Sequence, residues 1–65
     1  MDSEKLAETI LDQIKVIRDT GLTNMFMDYT VKRIAENMGF NELVNYMDEN
    51  PDGYFVTLLR GKVEF

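Results

Sequence analysis

Leu6, Ile10, Ile14 and Ile17 recur at spacings of four, four and three residues, and Ala7 and Leu11 widen the stripe they form. Such spacing marks one face of an α-helix, because 3.6 residues per turn bring positions i, i+3, i+4 and i+7 to the same side. The helix is expected over about residues 3–19, with Asp2 or Ser3 as its cap. Glu4 and Glu8 lie near the positive end of its dipole, and Lys15 and Arg18 near the negative end. Gly21 is the left-handed residue that stops it.

Leu22 to Met27 shows no period and reads as a structured connector, with one helical turn that Thr23 would cap. Asp28 is placed to cap a second helix, whose apolar face is Val31, Ile34, Ala35 and Met38 and whose stop is Gly39. Asn41 would cap a third, carrying Leu43, Val44, Tyr46 and Met47 and ending near Glu49. The last apolar segment, residues 54–59, is rich in strand formers. Yet Asn50-Pro51 ahead of it and Gly61 behind it fit the start and stop of a helix. A strand there would need a partner that the remaining residues scarcely offer, and a lone hairpin is barely stable. A fourth helix over 51–60 is the favoured reading. The expected fold is all-α: three or four short helices around one small core, in a single domain spanning residues 1–65.

A second level of pattern adds a resemblance. The run Ile17-Arg18-Asp19-Thr20-Gly21-Leu22-Thr23-Asn24-Met25-Phe26 resembles the signature of a family of short uncharacterised proteins from bacteria and their phages. The stretch from Val31 to Phe40 and the closing Tyr54, Leu58, Leu59, Arg60 and Gly61 are similar to the same family, so the likeness covers nearly the whole chain. It implies a phage or prophage origin and no activity, since the family is a domain of unknown function.

Composition narrows the chemistry. With 65 residues the chain buries only about 60% of the surface that its unfolded form exposes, so the core must be thin. It has no Cys and no His, which removes thiolate and imidazole from catalysis and from metal binding. No catalytic residue, cofactor or metal site is expected, and the chain is not read as an enzyme. The start of the chain lacks the basic region and apolar stretch of a signal peptide. No apolar run nears the roughly 18 residues of a membrane span. A cytoplasmic protein is expected.

Acidic residues outnumber basic ones by 12 to 7, for a net charge of −5, which suits a protein partner with a basic surface and disfavours nucleic acid. Two motifs are weighed on that background. Residues 30–47 have the outline of a helix-turn-helix, with Lys32 and Arg33 for phosphates, but the reading residues would be Asn41, Glu42 and Asn45, none of them basic. Asp48, Asn50, Asp52 and Gly53 begin like a calcium loop, but Val56 and Leu59 fall where its later ligands belong. Carboxylate pairs such as Asp48 with Asp52 and Glu36 with Glu42 are expected by chance in so acidic a chain.

The remaining candidate is a partner-binding patch at Asn24, Met25, Phe26 and Met27. Three large side chains in succession cannot all face inward, and methionine adapts to varied surfaces. The competing expectation is that Met25 or Phe26, with Phe26 favoured, plugs the gap between the first two helices and leaves one neighbour outside. Tyr29 and Phe65 are further apolar surplus, available to the core or to a homodimer contact.

Overall fold

Ile10, Ile14 and Ile17 line one side of the first helix and are almost wholly withdrawn from solvent, which fixes the face that the rest of the chain covers. In the computed structural model, which describes residues 3–63, there are four helices: α1 (Ser3–Thr20), α2 (Asp28–Met38), α3 (Asn41–Glu49) and α4 (Pro51–Arg60). No strand occurs among the described residues. Residues 54–59 are helical: Pro51 supplies a preset first turn and Gly61 ends α4 at φ 76°.

To the three isoleucines α2 adds Val31 and Ala35, α3 adds Leu43, Tyr46 and Met47, and α4 adds Tyr54. Each large apolar side chain so buried contributes about 1.5–3 kcal/mol relative to exposure. α3 is the shared element, packed against by α1, α2 and α4 alike. α4 is tied to it by one internal polar contact. The Thr57 hydroxyl donates to the Gly53 carbonyl at 2.8 Å, so its bond with the Tyr46 hydroxyl at 3.1 Å is one in which Tyr46 donates. α1 and α4 scarcely meet, and a groove stays open between them.

α1 and α4 start where the sequence expectation put them, at Ser3 and Pro51, and the other two starts differ by one residue. Asp28 and Asn41 are the first residues of α2 and α3 rather than their caps; Met27 and Phe40 hold the cap positions and bond through no side chain. Asn50 does precede α4, again without a side-chain cap bond. The proposed cap at Asp2 lies outside the described residues, as does Phe65. For α3 the missing cap arrives from elsewhere: the Leu43 N–H, an orphan donor of the first turn, reaches the side-chain carbonyl of Gln13 on α1 at 3.0 Å. The stops follow expectation. At Gly39 (φ 75°) the Phe40 N–H reaches back to the Ala35 carbonyl at 2.9 Å, which only a left-handed residue at 39 permits.

Candidate functional site

The connector between α1 and α2 is shaped by Asn24. Its side-chain oxygen accepts the Phe26 N–H at 2.9 Å and its carbonyl accepts the Met27 N–H at 3.0 Å, giving an Asx turn inside a tight β-turn. No helical turn capped by Thr23 forms. The turn sends Met25 toward the core, where it packs as a partly buried residue, and Phe26 and Met27 outward. The expectation that Phe26 plugs the gap between the first two helices is therefore corrected. Met25 is the one that packs partly buried against the core, and two neighbours stay outside instead of one: Phe26 is 54% exposed and Met27 56%.

Phe26 is held by α4. Its ring lies parallel to that of Phe55, with centroids 6.4 Å apart and planes 6° apart, and Phe55 in turn meets Tyr54 edge-on at 5.6 Å. Tyr54 fixes the backbone beneath: its buried hydroxyl donates to the Met25 carbonyl at 2.7 Å. Burial pushes the Tyr54 hydroxyl pKa up to about 12, and the negative charge of Asp28 adds to that rise.

Beside Phe26 runs the groove between α1 and α4, a cavity of about 270 Å³. Leu11 and Ile14 line it from α1, Met25 and Phe26 from the connector, and Leu58 from α4; Lys15 and Arg18 stand on its edge. Leu59, one helical turn beyond Phe55, is 76% exposed and extends the apolar surface. Of the four residues singled out from sequence, then, Met25 and Phe26 line the groove, Asn24 builds the turn that presents them, and Met27 is exposed at the start of α2. Phe55, Leu58, Lys15 and Arg18 were not singled out. In the sequence Lys15 and Arg18 stood only as charges near the end of a helix, Arg18 and Leu58 as parts of the resemblance, and Phe55 as one apolar position among several; they gain meaning as a surface once α4 is placed beside α1.

On the other side of α1 lies a second cleft of about 290 Å³. Leu6, Ile10 and Tyr46 line it, with Glu42 and Glu49 at its edge. Gln13 donates to Glu42 at 2.8 Å and holds that carboxyl below its ordinary pKa, helped by the Glu42 backbone N–H.

The two motifs weighed above fall as follows. α2 and α3 do meet across Gly39 and Phe40, but Lys32 is ion-paired with Asp48 of α3, a contact that raises the lysine pKa. Asn41, Glu42 and Asn45 are exposed on α3. No loop exists for calcium: Asp48 belongs to α3, Asp52 and Gly53 to α4, and Asn50 alone separates the helices. Among the described residues no cluster of three or more acidic groups is placed to hold a metal ion, and no helix is long and apolar enough to cross a membrane.

The family described as a domain of unknown function, DUF5049, matches residues 6–62. No curated protein and no solved structure matches the chain.

Proposed function

The chain belongs to the DUF5049 family, a domain of unknown function, and we propose that it works as a small protein-interaction module that docks on another protein through the surface around Phe26. The observation that carries this is the Phe26–Phe55 stack: two aromatic rings, one of them more than half exposed, at the mouth of an apolar groove. Contiguous exposed apolar surface of this kind marks contact sites in small proteins. Phe26 and Leu58 are the anchors, Met27 an adaptable border, and Asn24 with Tyr54 the residues that position them. The net charge of −5 favours approach to a basic partner, while Lys15 and Arg18 at the groove itself call for acidic groups where that partner touches it. The likeness to short proteins of bacteria and their phages extends the proposal to a phage- or prophage-encoded modulator that occludes a host protein in the cytoplasm. No reaction chemistry is assigned to it.

The test is affinity capture from host lysate with Phe26→Ser/Met27→Ser beside the unaltered chain. Both side chains are exposed, so the far-UV helical signal should persist while the captured partner is lost. Capture that survives both changes removes the anchor assignment. A helix-turn-helix-like DNA-binding regulator is the alternative, with less behind it, since Lys32 is taken up by Asp48 and α3 exposes Glu42, Asp48 and Glu49. A salt-sensitive gel shift abolished by Lys32→Ala/Arg33→Ala would favour that alternative.

A further inference from the structure

Along α1, beside the groove, runs a stripe at spacings of four, three, four and three: Glu4, Glu8, Leu11, Lys15 and Arg18. These positions share one helix face, adjacent to the buried isoleucine face. The stripe is acidic at its first half and basic at its second, with a leucine at the centre. Its charges sum to zero in a chain whose net charge is −5. Reversed and laid against itself, it matches: Glu4 meets Arg18, Glu8 meets Lys15, and Leu11 meets Leu11.

We propose that, with no other protein present, the groove between α1 and α4 is closed by a second copy of the chain, its α1 lying antiparallel on the first. The inference rests on the reading of this groove as a docking surface and names its occupant. Charge complementarity selects the occupant and the direction. An antiparallel pair sets each acidic half on a basic half and opposes the two helix dipoles favourably, whereas a parallel pair would set like charges together. The basic half is available: Lys15 makes no ion pair among the described residues, and Arg18 has only a loose contact at 3.4 Å with its exposed neighbour Asp19. The rest of the chain carries the whole surplus of negative charge, and the two stripes meet without it. Length also fits. Eighteen residues make a helix of about 27 Å, close to the 30 Å longest dimension of the molecule. Contact along it would also cover Phe26 and Leu58 at the side. A two-fold pair is closed, so it stops at two copies.

Sedimentation equilibrium with charge-exchanged variants tests this. The unaltered chain should sediment at twice its chain mass. Lys15→Glu/Arg18→Glu makes the stripe wholly acidic, and Glu4→Lys/Glu8→Lys makes it wholly basic. Each alone should weaken self-association by about tenfold or more, while an equimolar mixture should recover the dimer. Helical signal in each variant, read by circular dichroism, separates lost pairing from lost folding. Should both variants unfold, Leu11→Glu, which puts two like charges at the centre of the pair, serves as the second route. A monomeric unaltered chain, or a mixture that stays monomeric although both variants are folded, overturns the proposal. If the chain is monomeric but Phe26→Ser still abolishes partner capture, the second copy is wrong and the docking surface stands; if capture is also indifferent to Phe26, both fall.

Discussion

The two hollows that flank α1 have similar volumes, about 270 and 290 Å³, and similar aliphatic floors, yet their charged edges are built for different ends. At the acid-edged cleft Glu42 is committed to the fold. Gln13 donates to it with one end of its amide and accepts the Leu43 N–H with the other, so a single side chain staples α1 to the start of α3. At the base-edged groove no such commitment exists: among the described residues Lys15 and Arg18 form no ion pair across helices. Apolar contrast runs the same way. The cleft has the buried ring of Tyr46 in its wall, whereas the groove has the exposed ring of Phe26. The lesson is that a hollow lined by charge is not thereby a site; what distinguishes the groove is that its charges and its aromatic ring are left over after the fold has been satisfied.

The largest effect that breaks the comparison is expected at Tyr54, whose ring is wholly buried under the groove side and absent from the cleft. Tyr54→Ala should cost about 3–5 kcal/mol, as deletion of a large core ring does. A domain with so thin a core would then be substantially unfolded at ambient temperature, visible as loss of the urea transition. A clear transition displaced by less than about 1 kcal/mol would mean that Tyr54 is not the support of this wall.

Gln13→Ala acts on the other hollow and should cost less, about 1–2 kcal/mol, by leaving the Leu43 N–H without its acceptor. The pH dependence carries the signature of the staple. The Glu42 pKa is lowered in the folded chain, first by Gln13. Its contribution is therefore present above the ordinary carboxylate range and is lost as pH falls through the lowered value. The stability gap between the unaltered chain and Gln13→Ala should narrow on acidification, as read from urea midpoints. A gap that stays constant down to acid pH would leave Gln13 as a cap and not a clamp on Glu42.

These residues also mark where the sequence was legible. The helices follow from isoleucine spacing, from Pro51 and from glycines at the stops, all local signals. The caps did not: Asp28 and Asn41 look like caps but sit one residue inside, and in α3 a first-turn donor is met instead by Gln13, thirty residues earlier in the chain. No local pattern encodes a cap delivered from another helix. The same holds for the candidate site. The lack of period between Gly21 and Asp28 made the connector recognisable, but whether Met25 or Phe26 turned inward depended on which found room. Phe55, on a helix placed by α3, offers Phe26 a ring to stack on at the surface, and Tyr54 fixes the Met25 carbonyl below it. Those are facts of packing between distant segments.

The smallest effect isolates that last contact. Tyr54→Phe keeps the ring and removes only the hydroxyl that bonds to the Met25 carbonyl. At neutral pH the loss should be about 1 kcal/mol, the usual worth of one such bond. Alkali should erase the difference. The hydroxyl pKa in the folded chain is pushed up to about 12, above the ordinary tyrosine value near 10. A raised pKa contributes stability that is complete below the unfolded value and is lost as pH rises toward the folded one, because the unfolded chain ionises first. Tyr54→Phe carries no such penalty. The gap between the two chains should close between about pH 10 and pH 12, measured by chemical denaturation with phenolate absorbance as a parallel readout. A gap that persists unchanged through that window would mean the hydroxyl is open to solvent, and the connector beneath Phe26 would then lack the anchor that aims its ring.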